Sequence, residues 1–205
     1  SISKNNLIDS LEQKTRLWGI DLSRWQVEID WDKVVKKNKP DFVFIKASEG
    51  VSITDRMYKE HRKNAKKHNI IQGAYHFWRF DVSGKAQASR FLKSFEYSKN
   101  DLAPVVDVEY GRRHLPAKHK VVRELEAFCT IVEDKVGMKP IIYTNGHLYD
   151  NFLADDFDDH VLWIPNYKTQ PKQNWTIWQY TNKGTVYGIS GKVDKNYMLT
   201  SNKVL

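Results

Sequence analysis

The stretch Ala103-Pro-Val-Val-Asp-Val-Glu-Tyr110 lies in the middle of the chain, and the interpretation of its neighbours depends on it. Its valines and leading proline predict a short buried β-strand, because β-branched residues favour strands and proline is tolerated at a strand's first position. Asp107 and Glu109 interrupt this apolar run. Carboxylates are rarely buried without a partner or a function, so this pair needs an explanation.

The spacing of the two acids indicates what they can do together. Residues i and i+2 of a strand point to the same side, with Cα atoms about 6.6 Å apart. Carboxyl groups at this range of separation hydrolyse glycosidic bonds. The alternative is a pair of strand-end acids neutralised by Lys or Arg side chains, and this stretch alone leaves both interpretations open.

Predicted strands and helices alternate on both sides of this stretch. Strands are expected at 18–22, 41–47, 70–77, 103–110, 140–145, 161–164 and 175–180, with a final strand pair at about 186–197. Helices are expected from Asp30 as cap to Asn38, from about Thr54 to His68, after Ser83, over about 121–136 until Gly137, and over about 147–153. Strand, helix and strand repeated in this way predict a parallel sheet with right-handed crossovers. The fold class is α/β, a TIM-like (β/α) barrel with helices missing in its second half.

The domain organisation follows from where this alternation begins. Residues 1–16 are polar with a weak apolar rhythm, and we interpret them as an N-terminal flanking segment. Residues 17–205 are predicted to form a single barrel domain. No segment rich in Gly, Pro or Ser separates the two.

Composition restricts the partners. The net charge is +8, with Lys and Arg spread along the chain, which favours a polyanion such as nucleic acid, anionic lipid or an acidic bacterial wall. Seven Trp, ten Tyr and nine Phe suit stacking on sugar rings as well as core packing.

The single cysteine, Cys129, excludes an internal disulfide and a cysteine zinc site. We see no apolar run of membrane-spanning length, so no membrane insertion is expected, and no signal peptide is visible.

Polar residues fall at or just past the ends of the predicted strands, where the active sites of such barrels gather. They are Asp21, Glu49, Tyr75, His76, Asp107, Glu109, Tyr143, Asn145, Trp178, Gln179 and Asp194. Any one of them is explained as a satisfied strand-end group. Several acids converging on one rim repel one another, however, so the set indicates a functional site.

Eight short motifs carry a resemblance to a known family. They are Gly19-Ile-Asp-Leu-Ser23, Phe44-Ile-Lys-Ala-Ser-Glu-Gly50, Gly73-Ala-Tyr-His-Phe77, Pro104-Val-Val-Asp-Val-Glu109, Pro140-Ile-Ile-Tyr-Thr144, Leu162-Trp-Ile164, Trp178-Gln-Tyr180 and Gly191-Lys-Val-Asp-Lys-Asn196. In this order, over about residues 18–199, they resemble glycoside hydrolase family 25. The resemblance implies an irregular barrel of eight strands with fewer outer helices. It also implies a lysozyme, an N-acetylmuramidase that cleaves the β-1,4 bond between N-acetylmuramic acid and N-acetylglucosamine in peptidoglycan.

The same resemblance implies site residues. Glu109 matches the general acid and Asp107 its catalytic partner, which could be a nucleophile, a base for water, or an orienting group for the substrate's 2-acetamido oxygen. The family favours the last of these, with net retention. The substrate-binding set is Asp21, Asp194, Tyr75, Tyr143, Trp178 as a sugar platform, Gln179 from its position alone, and Glu49 without an assigned role.

No cofactor and no metal are expected, because the His residues show no ligand spacing and no phosphate-binding glycine loop is present. The predicted partners are peptidoglycan glycan strands, with no nucleic acid, and the protein is expected to be a monomer. We expect it to be secreted or associated with the cell wall, with a phage endolysin as the alternative. The alternative functions are a non-catalytic wall-glycan-binding protein on the same barrel and a basic nucleic-acid binder, for which no recognition motif is present.

Overall fold

A computed structural model describes residues 16–110, 115–200 and 204. The predicted flanking segment therefore lies, apart from Arg16, outside the described residues. The described strands form one sheet of nine. They are β1 (Leu17–Leu22), β2 (Phe42–Glu49), β3 (Ile53–Thr54), β4 (Ile71–Phe77), β5 (Val105–Asp107), β6 (Ile141–Tyr143), β7 (Leu162–Pro165), β8 (Ile177–Gly184) and β9 (Val193–Met198).

The sheet closes because β1 pairs with both β2 and β9, and every strand except β3 belongs to the closed ring. This confirms the eight-stranded barrel. Neighbours in the closed ring are parallel from β1 through β8, which confirms the parallel sheet predicted from the alternation of strands and helices. The last strand, β9, is antiparallel to both β8 and β1. Residues 185–192 connect β8 to β9 without a crossover helix, and so short a connection joins antiparallel strands only.

The helices cover the first part of the barrel. They are α1 (Trp31–Asn38), α2 (Tyr58–Lys67), α3 (Gly84–Ser94), α4 (Lys118–Val136) and the single turn α5 (Gly146–Leu148), continued by a π-helical turn (Tyr149–Leu153). No helix follows Leu153 among the described residues, as the sequence pattern predicts. Three predicted end signals are confirmed. Asp30 accepts from the Lys33 amide, Ser83 accepts from the Ala86 amide, and Gly137 ends α4 in the left-handed conformation with φ 81°.

Two local predictions were wrong. Thr54 does not begin a helix but pairs in β3 with the end of β2, and α2 begins at Tyr58. The carboxylate of Asp55 instead holds this turn, accepting from the Met57 amide at 2.9 Å and from the Arg24 amide at 3.0 Å. The final strand pair over 186–197 is also incorrect. Only β9 is a strand there, and 186–192 is a turn with a single bridge between Ile29 and Ile189.

Strand alternation divides the core into two layers. Val43 and Ile45 of β2 pack outward against the helices, whereas Phe42 and Phe44 fill the barrel interior. Gly19 and Gly73 make room for these rings, since a Cβ at either position would lie 2.5 Å from ring atoms of Phe42 or Phe44. The interior is thus packed at the amino-terminal end of the strands. No helix in the described parts of the chain has the length and apolar character needed to cross a membrane.

Candidate active site

A cavity of about 200 Å³ opens at the carboxyl-terminal ends of the barrel strands. It is lined by Asp21, Ser23, Trp25, Lys46, Tyr75, Phe77, Asp107, Glu109, Tyr143, Trp163, Gln179 and Asp194. Seven of the predicted site residues are therefore brought together: Asp21, Tyr75, Asp107, Glu109, Tyr143, Gln179 and Asp194. Strand register explains the convergence, because Asp107 pairs with Phe77 on one side and with Tyr143 on the other.

Asp107 and Glu109 face the same cavity although the strand is shorter than predicted. β5 ends at Asp107, but the Val108 amide still donates to the Tyr143 carbonyl at 2.8 Å and keeps the chain extended. Val108 packs outward among the residues beneath the helices, so the acids on either side of it point inward. Asp107 is 8% exposed at the cavity floor, whereas Glu109 lies at its mouth.

The two carboxyl groups lie in the same cavity and interact, so ionisation of one opposes ionisation of the other. Burial raises the pKa of Asp107 well above its ordinary value, and the charges of Glu109 and Asp21 add to this while Lys46 opposes it. Glu109 is exposed as a residue, but its carboxyl group is enclosed by the cavity wall and Asp107. This desolvation, with the nearby Asp194, raises its pKa as well. Asp107 Oδ1 is buried and has no hydrogen-bond partner among the described residues.

A second carboxyl pair, Asp21 and Asp194, lies across the cavity. Asp21 Oδ2 accepts from Asn196 Nδ2 at 2.8 Å and from Gln179 Nε2 at 3.1 Å. Burial raises the pKa of Asp21, and the charge of Asp194 raises it further. Asn196 is itself oriented by Trp163, whose Nε1 donates to its Oδ1 at 2.9 Å.

Tyrosine hydroxyls surround the acids as neutral donors. Tyr143 donates to Gln179 Oε1 at 3.0 Å, and Tyr167 donates to the same oxygen at 2.7 Å. Burial raises the pKa of Tyr75 and Tyr143 well above the usual range, and neighbouring carboxylates add to this. Both hydroxyls therefore keep their protons at neutral pH.

Two predicted binding residues do not line the cavity. Trp178 is directed away from it, because alternation along β8 turns Gln179 inward. Trp178 packs against Trp175 at 5.9 Å between ring centroids, and its Nε1 donates to the Asn166 carbonyl at 2.8 Å. Trp178 thus lies outside the cavity, and its role as a sugar platform stays a prediction. Glu49 lies behind the cavity wall and contacts Lys46, its Oε2 accepting from Lys46 Nζ at 2.7 Å.

The other two strand-end residues have structural roles. His76 is buried between Ser48 Oγ at 2.8 Å and Gln87 Oε1 at 3.1 Å, and burial lowers its pKa to about 4. It is therefore a neutral, hydrogen-bonded wall residue. Asn145 caps α5 by accepting from the Leu148 amide at 2.9 Å.

Sequence reasoning missed Trp25 and Lys46 as cavity residues. Trp25 is 77% exposed in the loop after β1, immediately beyond a strand that ends in Asp21-Leu22. A tryptophan just past a strand end was an available signal. Lys46 interrupts an apolar strand as Asp107 does. A charged residue in such a strand needs a partner or a function, so Lys46 could have been identified by the same reasoning.

Comparisons with known proteins agree with this geometry. The sequence model of glycosyl hydrolases family 25 matches residues 20–189. The uncharacterised protein YegX of Escherichia coli K12 is 36% identical over 186 residues, which cover 87% of this chain and 68% of YegX. Lysozyme M1 of Streptomyces globisporus is 31% identical over 195 residues, covering 87% of this chain and 66% of that protein.

Solved structures give the same result. A family 25 glycosyl hydrolase from Bacillus anthracis superimposes with a TM-score of 0.83 at 34% identity, over 91% of this chain and 90% of that one. The bacterial lysozyme from Streptomyces coelicolor gives a TM-score of 0.81 at 28% identity, over 91% and 93% of the two chains. The family model covers most of the chain, and paired carboxyl groups lie in an open cavity. The chain therefore belongs to glycosyl hydrolase family 25 and is a glycoside hydrolase.

Proposed function

We propose that the protein is a peptidoglycan hydrolase, a 1,4-β-N-acetylmuramidase that cleaves the bond between N-acetylmuramic acid and N-acetylglucosamine. The observation that carries the proposal is the pair of carboxyl groups of Asp107 and Glu109, set at two depths in one open cavity. Similarity to proteins named Lysozyme M1 and autolytic lysozyme supports the substrate class. The net charge of +8 suits an anionic cell wall, where such an enzyme acts outside the cytoplasmic membrane.

Glu109 is the general acid in this proposal. It lies at the cavity mouth, within reach of an incoming glycosidic oxygen, and its raised pKa favours a carboxyl group that still holds a proton near neutral pH. Transfer of that proton to the departing oxygen stabilises the leaving group as the bond to the anomeric carbon breaks.

Asp107 acts as the orienting group for the substrate's own acetamido group. Carboxyl groups about 5–5.5 Å apart form covalent glycosyl intermediates, and groups about 6.5–9.5 Å apart leave room for an attacking water. The resemblance to glycoside hydrolase family 25 favours a third role, in which the partner of the general acid orients the substrate's 2-acetamido group. The unpartnered Asp107 Oδ1 can instead accept the acetamido N–H.

The resulting reaction retains configuration. The acetamido oxygen bonds to the anomeric carbon while the bond to the leaving oxygen breaks and the proton of Glu109 moves to that oxygen. A water then attacks the anomeric carbon, releases the acetamido oxygen, and returns a proton to Glu109. Two inversions at one carbon leave the β configuration unchanged.

Aromatic and tyrosine side chains around the cavity bind the sugars. Trp25 offers an exposed ring at one side of the mouth, and sugar rings stack on such faces. Tyr75 and Tyr143 present neutral hydroxyls toward the acids.

The test is digestion of purified peptidoglycan, followed by borohydride reduction and identification of the new reducing ends. We expect muramic acid at the reducing end, no release by Glu109→Gln, and β-anomer formation in NMR spectra recorded early in the reaction. Glucosamine at the reducing end would contradict the proposed bond. Binding to peptidoglycan without any new reducing end would instead favour a non-catalytic wall-glycan-binding protein.

A further inference from the structure

Lys46 is a largely buried lysine whose role the reaction described above leaves open. It interrupts β2, in which Val43 and Ile45 pack outward and Phe44 packs inward. The Lys46 side chain shares the inward side, lines the cavity, and is only 13% exposed. Burying an ammonium group is unfavourable unless it is paired, so its position is expected to serve a purpose.

Two neighbouring groups, Glu49 and Phe77, hold the ammonium group of Lys46 in place. Glu49 Oε2 lies 2.7 Å from Lys46 Nζ, and the other oxygen of Glu49 forms an ion pair with Arg79. Lys46 Nζ also lies 4.5 Å from the ring centroid of Phe77. A carboxylate held by a second cation and an aromatic face together restrict where the ammonium can move.

This position sets the cation beside the catalytic pair. Phe77 is the strand partner of Asp107 in β4 and β5, and both residues line the same cavity as Lys46. The described residues of the cavity wall supply four carboxyl groups, namely those of Asp21, Asp107, Glu109 and Asp194, and a single cation. Tyr75 and Tyr143 complete the ionisable groups that face Asp107 there.

We propose that Lys46 is a positioning residue: its ammonium group stabilises a negative charge on the carboxyl pair, so that Asp107 and Glu109 together hold one proton rather than two at neutral pH. Glu49, held by Arg79, fixes the ammonium for this task. The inference rests on the proposed function, because that single proton is the one that Glu109 donates. It is consistent with the charge of Lys46 lowering the pKa of both Asp107 and Glu109.

The first test is the pH dependence of kcat/KM on solubilised glycan strands for wild type, Lys46→Met and Lys46→Arg. Removing a cation raises the pKa of both carboxyl groups of the pair. We therefore expect both limbs of the bell-shaped profile of Lys46→Met to move up by about one pH unit. Its maximal kcat is expected to fall as well, since the proton then also occupies Asp107. Lys46→Arg keeps the positive charge and should give the wild-type profile. Lys139→Met removes a lysine at the opposite end of the barrel and should leave the profile unchanged.

A second test does not require activity. Carboxyl ¹³C NMR titration of the free protein should show the Asp107 signal titrating about one pH unit higher in Lys46→Met, with recovery in Lys46→Arg. Glu49→Gln keeps the side-chain volume but leaves the charge of Lys46 uncompensated, so the Asp107 signal should titrate lower than in wild type. Unshifted titrations in both folded variants would overturn the inference. An inactive wild type with the expected NMR shifts would overturn the proposed function alone.

Discussion

Asp21 and Asp194 lie directly opposite each other on the antiparallel strands β1 and β9, and both face the cavity. Like charges in this arrangement destabilise a sheet. The pair persists because Asn196 and Gln179 donate to Asp21 and because burial favours a proton on each acid. The cavity therefore contains two carboxyl pairs, and the pKa of every acid in them is raised.

Asp194→Asn is expected to stabilise the protein at neutral pH by about 1 kcal/mol. The pKa of each acid of this pair is raised, so above about pH 4 the folded protein holds more protons than the unfolded chain, and the free energy of unfolding falls as pH rises. Removing one charge relieves this. Chemical denaturation should show the gain at pH 7 and little difference at about pH 2.5, where both acids are protonated in either state. A less stable variant at pH 7 would contradict the repulsion.

Glu109→Gln is expected to abolish lysis of cell walls, because an amide cannot supply the proton for the leaving oxygen. Loss of a general acid lowers turnover by about 10²–10⁴-fold. Asp107→Asn should lose much of the activity but keep the fold. Turbidity clearing measures the rate, and pull-down with insoluble walls measures binding, which both variants should retain. The exposed Glu126 in α4 provides the control, since Glu126→Gln removes an equal charge far from the cavity. Clearing by Glu109→Gln near the wild-type rate would refute its assignment.

Trp25→Ala is expected to raise KM about tenfold with little change in kcat, since the lost stacking face contacts sugar in both ground and transition states. The side chain is 77% exposed, so the free energy of unfolding should change by less than about 0.5 kcal/mol. Initial rates on soluble glycan strands separate the two constants. Trp178→Phe tests the opposite assignment, because Trp178 packs outside the cavity. A higher KM in Trp178→Phe, with an unchanged KM in Trp25→Ala, would show that Trp178 is the residue that stacks on sugar.

Gly73→Ala is expected to destabilise the protein by about 1–3 kcal/mol, the usual effect of overpacking. Its Cβ would lie 2.5 Å from the ring of Phe44 in the barrel interior. Urea denaturation measures the change. In the Phe44→Leu background the smaller side chain leaves room for the new Cβ. Adding Gly73→Ala to Phe44→Leu should therefore lower the free energy of unfolding by less than adding it to wild type. Equal effects of Gly73→Ala in both backgrounds would show that the ring is not the obstacle.

Much of the barrel could be predicted because its signals are local. The apolar β2, the caps at Asp30 and Ser83, and the glycine after α4 each act within a few residues, and each is found where expected. The error at Thr54 had a tertiary cause. That residue pairs with the end of β2, and the carboxylate that holds the turn belongs to Asp55, bound in part by an amide from the distant loop after β1.

By itself the sequence determined that acids would stand at the ends of buried strands, since strand periodicity places side chains on one side or the other. Tertiary structure decided which side became the interior. The phase of β8 in the closed ring turned Gln179 inward and Trp178 outward, and the short connection after β8 made β9 antiparallel and set Asp194 opposite Asp21. Likewise, the ion pair of Glu49 with Arg79 depends on the ends of β2 and β4 meeting across the sheet, whereas Lys46 and Glu49 lie only three residues apart. Periodicity within a strand is a property of the chain, whereas register and closure are set by packing between distant segments.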